Sequence, residues 1–261
     1  MQVRKLGKAG PEVTVIGFGS AEIGFGGSAH DEAAKVLNGA LDAGINLIDT
    51  AACYADSEEK IGQAVSSRRD EYTLVTKCGH KVEGLSAEEW TPAVVSQSID
   101  QSLRRLRTDH VDVLLLHSCA AEKLTDDLLA ALRKAKESGK SRLIGYSGDG
   151  EAAVAAVGMG VFDVLETSVS ICDQQCLTKY LPQALIRGLG VLAKRAIANG
   201  CWRGLSHFDG FYSEYVRPYA ERLERMGLTP EAVGFDGPMV ELALRFSAFA
   251  PGVSAVVVGS T

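Results

Sequence analysis

The segment Gly17-Phe18-Gly19-Ser20-Ala21-Glu22-Ile23-Gly24-Phe25-Gly26-Gly27 decides between two parallel-sheet folds. A doubly wound sheet carries a phosphate loop, G-x-G-x-x-G, directly between its first strand and first helix. Here Glu22 stands where the third glycine would, and the first helical pattern begins only near Asp31. The dinucleotide fingerprint is therefore set aside. Outward from this segment, short apolar runs recur at 13–18, 45–48, 73–76, 111–116, 142–144, 162–165, 191–193 and 253–258. They are continuous rather than strictly alternating, which is how parallel strands covered by helices read.

Helical patterns with recognisable ends lie between the runs. Ala33, Val36, Leu37, Ala40 and Leu41 share one face of 31–43, and Gly44 follows as a stop. Pro92 stands at a first helical position ahead of the Val95, Ile99, Leu103 and Leu106 stripe. Thr125 caps a helix that stops at Gly139, another pattern closes at 183–187 before Gly188, and 241–249 leads into the last run. Eight such units in 261 residues match the ~250-residue norm of an α/β fold of the (β/α)8 TIM-barrel type. Residues 1–261 are read as a single barrel domain, with the N-terminal segment a hairpin over the barrel bottom. The stretch 199–216, with Gly200, Gly204, Gly210, Trp202, His207 and Phe208, reads as a long loop of the kind used as active-site lids. The sequence ends at Thr261, just past the eighth strand, where a closing helix is expected. The expectation is a terminal segment beyond Thr261 that orders when a cofactor binds.

Apolar residues form 46% and charged residues 23% of the chain, which argues against disorder and fibrous repeats. A net charge of −6 without runs of like sign gives no basic groove for nucleic acid. The apolar runs are far shorter than the ~20 residues that span a bilayer, so no membrane partner is expected. Residues 1–7 carry no apolar signal-peptide core. The six cysteines, at 53, 78, 119, 172, 176 and 201, are scattered, which suits a reducing cytoplasm. Their spacing supports no metal set, so no metal is expected and buried apolar packing is their default role.

Barrels of this type place active sites at the C-terminal strand ends. Asp49, Lys77 and His117 end the second, third and fourth runs, and Tyr54 lies in the loop after Asp49. Singly, Asp49 reads as a turn cap, Tyr54 as packing, Lys77 as a solvated rim residue and His117 as a structural histidine. Together, three consecutive strands each end in an ionisable group aimed at one rim. Lys77 in an apolar mouth needs an anion, and Asp49 is the nearest. Lys77 beside Tyr54 is expected to lower the phenol from about 10 and make it a proton donor, with His117 orienting a carbonyl oxygen. That set suits carbonyl reduction once a cofactor supplies hydride.

The segments Gly-Phe-Gly-Ser (17–20), Gly-Ile-Asn-Leu-Ile-Asp-Thr (44–50) with Tyr54, Ser-Glu-Glu-Lys-Ile-Gly (57–62), Leu-Val-Thr-Lys (74–77), 102–117 ending in Leu-Leu-Leu-His, Ile-Gly-Tyr-Ser-Gly (144–148) and Pro-Gly-Val (251–253) together resemble the aldo-keto reductase family. The resemblance implies a catalytic tetrad of Tyr54, Asp49, Lys77 and His117. It implies NADPH as cofactor, with NADH possible, held by Gly19, Ser20, Asp49, Ser147, Glu166, Lys194, Arg195, Ala196, Ile197, Asn199 and Ser260. Ile23, Phe25, Trp90 and Trp202 are the expected walls for a small-molecule carbonyl substrate. Gly148 departs from the family's usual Asn, Glu166 from its frequent Gln, and Lys194 from its aromatic. The reading is an NAD(P)(H)-dependent reductase of aldehydes or ketones. A nucleotide-sensing protein like the potassium-channel β-subunits, or an NAD-dependent sugar or polyol dehydrogenase, is the alternative. Oligomeric state is not legible.

Overall fold

The structure, a computed structural model, describes residues 1–208 and 210–259. Two short strands, β1 (Val3–Lys5) and β2 (Glu12–Thr14), pair antiparallel. After them β3 (Ile16–Gly19), β4 (Leu47–Asp49), β5 (Thr73–Cys78), β6 (Val111–His117), β7 (Ser141–Ser147), β8 (Val164–Ser168), β9 (Gly190–Lys194) and β10 (Ala255–Gly259) form a closed parallel barrel in that order. The helices are α1 (Ala21–Phe25), α2 (His30–Asp42), α3 (Ser57–Val65), α4 (Pro92–Leu106), α5 (Asp126–Glu137), α6 (Gly150–Met159), α7 (Gln175–Lys179), α8 (Leu181–Arg187), α9 (Gly210–Met226) and α10 (Met239–Ala248). Among the described residues, no helix is long and apolar enough to cross a membrane.

Helix ends follow local chemistry. Thr91 and Thr125 accept the backbone N–H of Val94 and Leu128, and Gly188 closes α8 at φ 73°. The strands divide the core in two. Val75, Val113, Leu115, Val164 and Leu192 fill the barrel interior, where Leu6 and Val13 of the N-terminal hairpin join them. The opposite strand faces, with Leu74, Leu114 and Ile144, pack against helix residues such as Leu37 of α2. This inward–outward alternation is the period of a strand expressed in a closed sheet.

Three expectations change. The first apolar run is two strands, because Thr14 breaks it. Its N–H donates to Asn46 Oδ1 at 2.7 Å and its hydroxyl to the Ile16 carbonyl at 2.7 Å. A helix, α1, follows β3 directly, although its glycines read as loop. Gly24 is there because of a neighbour, since a Cβ would lie 2.2 Å from the Tyr54 carbonyl oxygen and 3.0 Å from Ser57 Cβ. Finally, the stretch read as a loop over 199–216 holds two 3-10 turns, Ala198–Arg203 and Leu205–His207, and becomes α9 from Gly210. It packs Cys201, Val216 and Tyr219 into a third apolar cluster, which explains its aromatic content.

Because α1 rests on the backbone of the Tyr54 turn, Gly24→Ala overpacks that contact. The substitution is expected to cost about 1–3 kcal/mol in chemical denaturation. It should also lower turnover by displacing Tyr54, and an unchanged unfolding midpoint would count against the contact.

Candidate active site

The strand register lines up one ring of functional groups. Gly19 pairs with Asp49, His117 with Ser147, Ser147 with Glu166, and Ser168 with Lys194. Asp49, His117 and Ser147 each end their strand, and Lys77 is one residue short of the end of β5. Side chains at these positions meet over the barrel mouth.

Lys77 has no exposed side-chain surface. Its Nζ donates to both carboxylate oxygens of Asp49 at 2.7 Å and to the Thr50 carbonyl at 3.0 Å. Glu166 Oε2 lies 3.2 Å away. Burial opposes the charge on Lys77, but Asp49 and Glu166 outweigh it and hold the ammonium well above the usual lysine range. Burial and then the Glu166 carboxylate push Asp49 upward, against Lys77. The expected Asp49–Lys77 pair is thus a three-charge cluster. Glu166, placed by resemblance on the cofactor, belongs equally to the lysine.

Ser20, also placed on the cofactor by resemblance, instead fixes Asp49. It is fully buried, and its N–H and hydroxyl both donate to the Asp49 carbonyl, at 2.9 and 2.7 Å.

Tyr54 lies with its ring centroid 5.1 Å from Lys77 Nζ and 5.8 Å from the His117 ring. The lowered phenol expected from the sequence is not what this environment produces. Burial is the largest influence and raises Tyr54 above its ordinary range, Lys77 opposes it, and Asp49 and Glu166 reinforce it. The phenol therefore keeps its proton at neutral pH. His117 is pushed down to about 2 by burial and then by Lys77, His80 and Lys194, so its ring is neutral. Its Nδ1 lies 3.4 Å from Cys53 Sγ. Burial raises Cys53 to about 11, so the thiol keeps its proton at neutral pH and can donate it to Nδ1. In the tautomer that accepts this S–H bond the imidazole proton sits on Nε2, which is then a donor. Trp90 completes the frame, its indole N–H donating to the His117 carbonyl at 3.1 Å. From sequence, apolar packing is the default role of Cys53, because spacing along the chain does not reveal the contact with His117.

The other expected residues divide. Among the described residues, Ser147 Oγ and Asn199 Nδ2 are buried without a hydrogen-bond partner, and Glu166 Oε2 is buried beside Lys77 Nζ. A hydroxyl, an amide donor and a carboxylate acceptor left open at one rim fit a carboxamide, which offers both donors and acceptors. Lys194 and Arg195 are tied to Asp149 Oδ2, at 3.0 and 3.5 Å. Burial raises Asp149, but Lys194, the Ser168 N–H and Arg195 outweigh it and bring the carboxyl to about 2. Arg195, Ala198 and Asn199 all adopt left-handed φ, at 57°, 46° and 53°, so this segment keeps a strained turn. Gly19 has no room for a Cβ, which would meet Val257 Cγ1 at 2.9 Å. Ala196 is buried and its carbonyl accepts from Ser247, whereas Ile197 is half-buried. Ser260 lies outside the described residues.

Of the expected substrate walls, Phe25 is 54% exposed with its ring 5.6 Å from Tyr54, and Trp90 touches His80 at 5.4 Å. Ile23 is instead sealed in the core at 2% exposure. Trp202 packs on the α9 cluster.

The aldo/keto reductase family model matches residues 15–261. An L-galactose dehydrogenase from Arabidopsis thaliana is 32% identical over 218 residues, spanning 77% of this chain and 66% of that protein. A probable voltage-gated potassium channel subunit beta from the same plant is 28% identical, spanning 100% of this chain and 88% of its own length. An aldo-keto reductase from Bacillus halodurans, solved in its holo form, superposes with a TM-score of 0.82 at 26% identity, over 100% of this chain and 86% of that one. The chain belongs to the aldo/keto reductase family of oxidoreductases, whose members generally use nicotinamide cofactors.

Two outcomes follow from the charges. Lys77→Met leaves Asp49 and Glu166 as facing buried carboxyls and should cost about 3 kcal/mol. Equilibrium unfolding measures this, and a loss near zero would show the lysine to be dispensable to the fold. For His117 the folded imidazole, near 2, binds fewer protons than the unfolded one at 6.5. The stability this ring contributes is complete above pH 6.5 and is lost as pH falls toward the folded value, by up to about 1.4 kcal/mol per pH unit. Relative to His117→Asn, the wild type should therefore lose stability more steeply on acidification. A His117 ring resonance that titrates near pH 6.5 would contradict the assignment.

Proposed function

We propose that this chain, as one (β/α)8 barrel domain over 1–261, is an NAD(P)(H)-dependent reductase of small aldehydes or ketones, with Tyr54 as the proton donor. The observation that carries the reading is a protonated phenol and a neutral imidazole facing one mouth, anchored by Lys77 bound to both oxygens of Asp49. When bound, the nicotinamide supplies the hydride. Ser147, Asn199 and Glu166 are the groups to hold its carboxamide, because each has unused hydrogen-bonding capacity at that rim. Lys194, Arg195, Ala196 and Ile197 line the way out along the cofactor, and Gly19 lets its backbone approach. NADPH is the proposed cofactor, with NADH the alternative.

In the reaction His117 Nε2–H donates to the carbonyl oxygen and orients it. Tyr54 delivers its proton to that oxygen as negative charge develops there. Lys77, at 5.1 Å from the ring, favours the phenolate left behind. Phe25 and Trp90 offer aromatic walls around the carbonyl carbon. No group in this set is an activated nucleophile, which suits reduction rather than acyl transfer.

Similarity to an L-galactose dehydrogenase supports a second reading, sugar oxidation with NAD, using the same residues in reverse. Oxidation needs Tyr54 to start as phenolate, and its raised pKa disfavours that form at neutral pH. The protonated phenol supports the reductive reading, while the two redox couples set the direction of net turnover.

Steady-state oxidation of NADPH with a panel of small aldehydes tests the proposal. Tyr54→Phe should lower kcat by about 10²- to 10⁴-fold, with cofactor affinity by fluorescence titration unchanged. Near wild-type turnover in that variant would remove Tyr54 from the role. Tight cofactor binding without turnover on any aldehyde would favour a nucleotide-sensing protein instead.

A further inference from the structure

The cysteine and histidine spacing suggests no metal set, yet the fold assembles one. Cys53, in the loop after β4, His80, in the loop after β5, and His117, at the end of β6, each place a ligand atom within 4.8 Å of the other two. Cys53 Sγ and His117 Nδ1 are 3.4 Å apart. A tetrahedral zinc with Zn–S ~2.3 Å and Zn–N ~2.05 Å has a sulfur–nitrogen edge of about 3.5 Å. That pair already stands at coordination spacing.

The third ligand is held in place by a carboxylate. Glu89 Oε1 lies 3.4 Å from His80 Nδ1 and also accepts the Lys81 backbone N–H at 3.2 Å. Nε2 is the nitrogen left to a ligand. A carboxylate on the outer nitrogen is the support that metal-ligating histidines generally have. Trp90 braces both rings, packing on His80 at 5.4 Å and donating to the His117 carbonyl. A thiolate with two imidazoles selects zinc-class cations over magnesium or calcium.

We propose that Cys53, His80 and His117 form a three-ligand site for a zinc-class divalent cation at the barrel mouth, and that its occupancy shuts the enzyme off. Coordination replaces the Cys53 S–H bond with a sulfur–metal bond, and the proton passes to solvent. Three protein ligands leave the fourth tetrahedral position to water. Coordination at Nδ1 leaves the Nε2–H on the ring, so the exclusion is steric: the ion and its water stand against the His117 ring, whose centroid is 5.8 Å from that of Tyr54, and fill the mouth that the carbonyl must enter. The shut-off rests on the carbonyl-reduction reading, whereas the binding site does not.

Chelator-treated protein titrated with Co²⁺ tests the site directly. One equivalent should bind with a thiolate-to-cobalt charge-transfer band and tetrahedral visible bands, both displaced by Zn²⁺. Cys53→Ser should lose the charge-transfer band, and His80→Ala should lose stoichiometric binding. Circular dichroism confirms that both variants remain folded. Glu89→Gln, which keeps all three ligands, should bind about ten-fold more weakly. Zn²⁺ should inhibit aldehyde reduction competitively with the carbonyl substrate, with a chelator restoring the rate. The inhibition constant should move with the Glu89→Gln affinity. An absent band, or binding unchanged in Cys53→Ser and His80→Ala, overturns the site. Binding with this signature but no effect on turnover overturns the shut-off. Binding with this signature in a protein that reduces no aldehyde upholds the site and overturns the carbonyl reading.

Discussion

Lys77 Nζ, closed off from solvent, is held between Asp49 on β4 and Glu166 on β8, and most of the mouth follows from that contact. A solitary ammonium in this position would carry a desolvation penalty of several kcal/mol. Strand β5 can therefore turn a lysine inward only because two other strands deliver carboxylates to it. The supports extend outward. Ser20 holds the Asp49 carbonyl with two donors, and Ser57 in turn donates to the Ser20 carbonyl at 3.0 Å. The residue that begins α3 thus helps to position a charge inside the barrel.

This cluster also sets the protonation of its neighbours. Its cation joins burial in keeping His117 neutral, while burial and the two carboxylates keep the Tyr54 proton in place. Cys53 remains a thiol because burial outweighs the pull of Lys77. Tyr54, His117 and Cys53 are thus proton holders or hydrogen-bond donors at neutral pH. Such a surface serves a reaction in which negative charge appears on an oxygen, and it requires no strong nucleophile.

The long segment after β9 has a related logic. Arg195 donates to Ser168 Oγ and Tyr219 Oη, both at 3.1 Å, and lies over the Tyr215 ring. Helix α9 is thereby pinned to the same rim that holds Asp149 and Lys194. Tyr212 reaches Glu22 of α1 at 3.4 Å, which ties the segment to the first strand–helix connection as well. What composition suggests to be a loose lid is anchored through a cation and several tyrosines.

Apolar periodicity, the Thr91 and Thr125 caps, Gly188, and ionisable residues at successive strand ends were legible in the sequence, because each is written within a few neighbouring residues. They were enough to mark eight strands with helices between them and to single out Asp49, Tyr54, Lys77 and His117. The short helix α1, the helical start at Gly210 and the break at Thr14 were not legible. Gly24 answers to the Tyr54 backbone, the aromatics of α9 to a cluster beyond their own segment, and Thr14 to Asn46. The tertiary structure alone decided that Glu166 shares Lys77 with Asp49, that the phenol is raised rather than lowered, and that Cys53 and His80 stand beside His117. Those outcomes depend on closure of the sheet, which brings residues from distant strands within a few ångströms and removes the water that would otherwise screen them.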